Sequence, residues 1–229
     1  MAVTLEELIE KVRIAIDEIT GDDVDSEFTE ELDTEIEHAL WVAARGLLTE
    51  LPPSMVPCVT LTDGDITVHK KNSDGSGQIG VDDNFLRLVE LRLSTWKSSV
   101  WALMEPDSNE AKMQASEWTR GTPEKPRAMM GEGVTATQSQ QTGQGGAQQQ
   151  TLSCKRSIKY WTAGKVSGAY DHTVEVLAYV KELGDDDEAD LLALAEAHLS
   201  RIVYRAAGVL MEGKQHGDLA DRFYKLSEA

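Results

Sequence analysis

Cysteine is nearly absent from this 229-residue chain. Cys58 and Cys154 are the only two, so no disulfide scaffold can stand in for a hydrophobic core. No apolar run is long enough to cross a bilayer: the richest, Ala39 to Leu48, is short and contains Arg45. The first residues, Met1 to Glu7, carry neither a basic region nor an apolar stretch, which predicts no signal peptide. Positive charge is also scarce. Against 40 Asp plus Glu there are 22 Lys plus Arg, for a formal net charge of -18. So acidic a chain repels duplex DNA over most of its surface. That argues against wrapping DNA or reading its sequence, and is compatible with lining a channel through which DNA slides without sticking.

The motifs that announce chemistry are missing as well. There is no Gly-x-Ser-x-Gly elbow, no phosphate-binding loop ending in Lys, and no Gly-x-Gly-x-x-Gly after a strand. The run Gly143-Gln144-Gly145-Gly146 has the glycines but lacks the Lys and the helix. Zinc requires closely spaced N or S ligands, whereas His38, His69, His172, His198 and His216 are scattered and no two pair with a cysteine. The turn Asn72-x-Asp74-Gly75 invites a calcium reading, but that register places Lys70 and Val81 where acids are needed; a hairpin turn accounts for the residues. Adjacent acids such as Asp22-Asp23 and Asp82-Asp83 are expected by chance among 40. The expectation is a protein that is not an enzyme and uses no cofactor or metal.

What is present is a clear succession of elements. Thr4-x-x-Glu7 is a capping box, and Leu5, Leu8, Ile9, Val12, Ile16 and Ile19 follow at helical spacing up to Gly21-Asp22-Asp23. A second helix is predicted from Thr29 to Glu50, stopped by Pro52-Pro53. From Pro57 the texture turns to short β runs (Val59, Leu61, Ile66, Val68, Ile79) broken by tight turns. In Asp83 to Leu93 the alternation slips phase at Val89. Strand with a bulge and short helix both fit, with strand preferred. Pro106 to Trp118 reads as a short amphipathic helix. Gly131 to Gln150 is rich in Gly, Gln, Thr and Ser, with little to bury, and is expected to be a flexible loop. Leu152 to Trp161 and Thr173 to Val180 alternate with period two, which predicts a hairpin turning around Gly164 to His172. Asp185 to Glu188 caps a long helix with its buried stripe from Leu191 to Leu210, ended by Gly213, and a last helix runs from Asp218 to Leu226. The fold class is therefore α+β, in a single domain over 1–229. A bundle of two N-terminal and two C-terminal helices is joined by a small antiparallel β-rich middle with a protruding hairpin and loop.

Local basic segments stand out against the acidic background. Lys155, Arg156 and Lys159 lie beside Tyr160 and Trp161, and Arg120, Lys125 and Arg127 flank Pro123 and Pro126. These eight residues are the candidate contacts with acidic surfaces of neighbouring subunits or partners. The five tryptophans exceed what a small core easily hides, and Trp is enriched at interfaces.

Three groups of segments carry a resemblance. The first is Leu5-Glu6-Glu7-Leu8 with Val12 to Glu18 and Leu32 to Ile36. The second is Asp82 to Val89, then Leu93-Ser94-Thr95-Trp96-Lys97 and Thr119 to Pro126. The third is Tyr204 to Leu210 with Asp218 to Leu226. In their order and spacing the chain resembles the head-to-tail connector (adaptor or ring) proteins beneath the portal of short-tailed bacteriophages, including crAss-like phages. The similarity covers nearly the whole chain apart from Gly131 to Gln150. It implies a homo-oligomeric, dodecameric ring that joins the portal to other tail proteins, gives the genome DNA a conduit without sequence-specific binding, and touches no membrane. Such a protein resides in the virion at the portal vertex, and in the host cytoplasm during assembly. Two other readings fit the residues: a soluble phage-encoded binding or regulatory module, and a different tail ring such as a stopper or tail-tube base.

Overall fold

The computed structural model describes residues 3–20, 29–72, 74–116, 118–140, 148–161, 172–184 and 187–228. It begins with α1 (Leu5–Thr20) and α2 (Thr29–Glu50). The middle contains β1 (Val59–Leu61), β2 (His69–Lys71), β3 (Ser76–Val81), β4 (Phe85–Leu93), α3 (Asn109–Met113), β5 (Arg127–Gly131), β6 (Val134–Gln140), β7 (Gln148–Cys154), β8 (Arg156–Trp161) and β9 (Val174–Lys181). The chain ends with α4 (Glu188–Ala197), α5 (Leu199–Gly213) and α6 (Gly217–Glu228). The fold is α+β, with helices at both ends of the sequence and antiparallel sheets between. Where the sequence suggested one domain, the chain divides into two compact units, residues 1–57 with 182–229 and residues 58–181.

The helical unit starts with the expected capping box: the Glu7 amide donates to Thr4 Oγ1 at 3.2 Å and the Thr4 amide to Glu7 Oε2 at 3.4 Å. Helix α1 buries Leu8, Val12, Ala15 and Ile16; α2 buries Ile36, Ala39, Leu40, Ala43 and Leu47. The expected stop at Gly21-Asp22-Asp23 lies outside the described residues. The single long C-terminal helix is two, so three helices close the chain rather than two. The break falls at His198, whose backbone (φ -135°, ψ 40°) leaves the helical region while its ring Nε2 donates to the Met55 carbonyl at 2.6 Å. Two glycines let elements approach. A Cβ on Gly46 would meet Arg205 Nη2 at 2.8 Å, and one on Gly208 would meet the Tyr224 ring at 2.8 Å.

In the β unit the strands form sheets ordered β1-β9-β4 and β2-β3-β8-β5, plus the pair β6-β7. Strand β4 forms where strand was preferred. Its pairing with β9 shifts register between Phe85 and Arg87, Leu88 and Glu90, and Arg92 and Leu93, so the phase slip at Val89 is a bulge. The hairpin expected between β8 and β9 does not form. Both are largely buried strands, and each is already flanked on both edges, β8 by β3 and β5, and β9 by β1 and β4. The turn expected at 164–172 falls mostly in residues 162–171, outside the described set. The helix expected over 106–118 shrinks to α3, capped where Ser108 Oγ accepts from the Ala111 amide at 3.2 Å. The Gly/Gln segment expected as a loop is largely a ladder: β6 pairs with β7 from Val134↔Cys154 to Gln140↔Gln148. Backbone hydrogen bonds need no apolar side chains, and Thr at three of these positions favours strand. Residues 141–147 lie outside the described set. The core packs Ile79, Ile158 and Tyr160 with Leu88, Leu91, Leu93 and Tyr179. Each such side chain contributes about 2 kcal/mol by leaving water.

Candidate interaction surface

The tryptophans divide sharply. Trp41, Trp96 and Trp161 are buried, whereas Trp101 is 63% and Trp118 is 96% exposed. Leaving so large an apolar ring in water is costly, and such rings commonly anchor interfaces.

Trp101 stands on a strap pinned at both ends. Val100 and Leu91 exchange backbone hydrogen bonds of 2.9 Å, tying the strap to β4, and the Met104 amide donates to the Ala128 carbonyl at 2.9 Å, tying it to β5. Beneath the strap lies an open groove of about 670 Å³, lined by residues 85–88, 101–103, 130, 131 and Arg156. Its walls are polar and apolar in nearly equal parts. Among the described residues, its charged lining residues are Arg87 and Arg156, and the Arg156 guanidinium donates to the Phe85 carbonyl at 2.8 Å.

Trp118 sits on the turn after α3. Thr119 Oγ1 donates to the Met113 carbonyl, Arg120 Nε to the Gln114 carbonyl at 3.1 Å, and the Gly121 amide to Gln114 Oε1 at 2.8 Å. The turn is thus fastened while its indole is bare, with Met113, 53% exposed, nearby in sequence.

Of the eight candidate contact residues, two are corrected. Tyr160 is fully buried and Trp161 is 5% exposed, because both faces of β8 are covered at these positions; neither can serve as a subunit contact. Tyr160 and Trp161 are consecutive and so point to opposite faces of β8, and both faces are covered there, which alternation alone did not signal. The cations are engaged within the chain: Lys155 with Asp83 at 2.7 Å, Arg120 with Asp74 at 3.1 Å, and Arg127 with Glu110 at 3.5 Å. Lys159 lies 5.1 Å from the Trp161 ring centroid. Lys125 is exposed, its backbone paired with Thr122. Exposed pairs such as Lys155–Asp83 contribute little, so a partner can exchange them, whereas Arg120 is 14% exposed, also bonds the Gln114 carbonyl and is held more firmly. Arg120, Lys159 and Trp161 line one cleft of about 240 Å³ together with Asp74 and Gln114, whereas Arg156 lines the groove below Trp101.

Sequence reasoning missed a polar chain that runs inward from the half-exposed Asp63. Asp63 Oδ1 is 3.3 Å from His69 Nδ1; His69 Nε2 is 2.8 Å from the Tyr160 hydroxyl, which also meets His172 Nε2. One proton arrangement satisfies every link: His69 Nδ1–H donates to Asp63, the Tyr160 hydroxyl donates to His69 Nε2, and His172 Nε2–H donates to the Tyr160 oxygen. Burial holds the His69 imidazole below its ordinary pKa, against the upward pull of Asp63, and burial pushes the Tyr160 phenol up. Burial raises Asp63 too, but the Val174 amide at 3.0 Å, His69 and Lys71 outweigh it and hold the carboxyl below its ordinary value. The chain links the β1–β9 side of the unit to β2 and β8 and acts as a pin. No spacing rule connects positions 63, 69, 160 and 172, so only the topology reveals it.

Among the described residues, no group of three or more His, Cys, Asp or Glu is placed to hold a metal ion. No described helix is long and apolar enough to cross a membrane. No protein-family model matches this sequence, and no curated protein does.

Proposed function

We propose that the chain is a structural protein of a tailed-phage virion, a subunit of the homo-oligomeric ring between portal and tail through which the genome passes. The observation that carries this reading is the pair of exposed indoles, Trp101 and Trp118, on firmly tied backbone. A solitary molecule would leave both wet, whereas repeated contact with copies or ring neighbours covers them. The resemblance of the terminal and middle segments to head-to-tail connectors supplies the context. The net charge of -18 suits a conduit wall that DNA must not stick to. A head-to-tail interface closes into a ring when its rotation divides the circle, which gives the repeated contact a definite end.

Mass spectrometry of purified particles, combined with a low-resolution map of the portal vertex, tests the reading. The expected result is this chain in multiple copies at that vertex. Its absence from purified particles would overturn the assignment and leave a phage-encoded binding module as the better account.

A further inference from the structure

We propose that His69, Tyr160 and His172 form a site for one divalent transition-metal ion of the zinc or copper class, bound through the two imidazole Nε2 atoms and the phenolate oxygen. The inference is independent of the ring reading. Three separate stretches of the β unit converge here: His69 on β2, Tyr160 on β8, and His172 two residues before β9. His69 Nε2 lies 2.8 Å from the Tyr160 oxygen, and His172 Nε2 meets the same oxygen. Imidazole nitrogen suits zinc and copper, and a tyrosine oxygen also serves as a metal ligand in proteins. Water competes little at this place, because Tyr160 is 0% and His172 2% exposed. Counting His, Cys, Asp and Glu does not reveal the set, because its third member is a phenol.

The ring spacing fits an ion. With metal–nitrogen bonds of about 2.0–2.1 Å and an angle of about 110–120°, two ligating imidazoles have centroids about 5.2–5.5 Å apart. The His69 and His172 centroids stand 5.6 Å apart. The nitrogen and oxygen donors must open by about 0.5 Å, since hydrogen bonds hold them closer than an ion does. His69 stands on an edge strand and His172 outside the strands, so both rings have the freedom to retreat. Asp63 Oδ1, 3.3 Å from His69 Nδ1, holds the tautomer that leaves Nε2 bare, the carboxylate–histidine arrangement that orients metal ligands. Asp63 is thus a positioning residue. The surroundings also hold a donor without an acceptor: Trp96 Nε1 is buried and unpartnered, and its ring stands 6.0 Å from that of Tyr160. An ion with three protein ligands carries a water in its fourth position, which supplies such an acceptor. On binding, the phenol gives its proton to solvent and His172 carries its proton on Nδ1. One ion enters, one proton leaves, and nothing is oxidised or reduced.

The full-length protein, stripped with chelator and desalted, is titrated with Zn2+ by calorimetry. Excess Mg2+ is present to occupy exposed carboxylates, which as oxygen ligands suit it. The expected result is one Zn2+ per chain with micromolar or tighter affinity, one proton released per ion, and a raised thermal midpoint. Cu2+ should give a visible phenolate-to-copper charge-transfer band that is missing from Tyr160→Phe. His69→Gln and His172→Gln should each weaken Zn2+ binding by about tenfold or more, and Asp63→Asn by about 10–100-fold while keeping one ion per chain and the copper band. Wild-type protein that binds no stoichiometric Zn2+ overturns the proposal without recourse to any variant. So does binding that His69→Gln and His172→Gln leave unchanged, or a copper band that survives Tyr160→Phe.

Discussion

The Tyr160 hydroxyl lies 2.8 Å from His69 Nε2 and also bonds His172 Nε2, so a single buried oxygen holds two imidazoles from separate stretches of chain. A phenol oxygen can donate once and accept twice, which is why it can serve both rings at once. Replacing Tyr160 with Phe keeps the ring packing against Trp96, 6.0 Å away between centroids, but leaves two buried nitrogens without this partner. The expected cost is about 1–3 kcal/mol. It should be read as a lower urea midpoint at an unchanged m-value. An unchanged midpoint would mean that water or another group takes over the oxygen's role.

The same pin makes stability depend on pH in one direction. His69 is held below the ordinary imidazole value of 6.5, chiefly by burial, so the unfolded chain binds a proton that the folded chain resists. Stability is therefore full above about pH 6.5, falls as pH drops below it, and levels once the folded pKa is passed. Asp63 is held below its ordinary 3.8, so its contribution is present above that value and is lost as pH falls through the lower folded one. Both act in the same sense. Melting temperature measured from pH 7.5 to 5 should decline, and His69→Gln should flatten the part of the curve just below pH 6.5. A wild-type profile that is flat or rises toward acid contradicts the pin.

Gly77 is fixed by its neighbour rather than by its own conformation. A Cβ there would stand 2.1 Å from Tyr160 Oη, 2.3 Å from Cζ and 2.8 Å from the Lys70 carbonyl. Part of that obstruction is backbone, so rotating a side chain cannot relieve it. Gly77→Ala should destabilise the β unit by about 1–3 kcal/mol or more through overpacking. Tyr160→Phe should not rescue it, because Cζ remains. Gly64→Ala, whose Cβ meets nothing within 4 Å, is the control and should shift the thermal midpoint little.

Local signals were legible in the sequence, and long-range ones were not. The capping box at Thr4, the bounds of α2 and the bulged strand β4 follow from spacing within a few residues of one another. The β8–β9 hairpin was misread because two alternating runs close in sequence look like partners, and nothing local records that each is claimed by other strands. The Gly/Gln segment looked structureless because composition reports what can be buried, whereas the β6–β7 ladder rests on backbone pairing. At the surface, the count of tryptophans pointed to an interface but could not say which. Trp161 was expected outside and is inside, and Trp101 and Trp118 are the exposed ones.

The helical unit offers a clean test of reciprocal capping. The hydroxyl of Thr4 and the carboxylate of Glu7 each accept from the other residue's amide, at 3.2 and 3.4 Å, so neither side chain acts alone. Thr4→Ala should cost about 1 kcal/mol, since an exposed first-turn amide must return to water. Glu7→Ala should cost less, because water can replace its longer bond. Glu7→Gln should fall between, keeping an acceptor but losing the favourable charge at the positive end of the helix dipole. The double variant Thr4→Ala/Glu7→Ala should then cost less than the sum of the two, since each single change already loosens the shared turn. Helical signal followed through chemical unfolding checks all four, and strict additivity would mean that the two hydrogen bonds form independently rather than as one box.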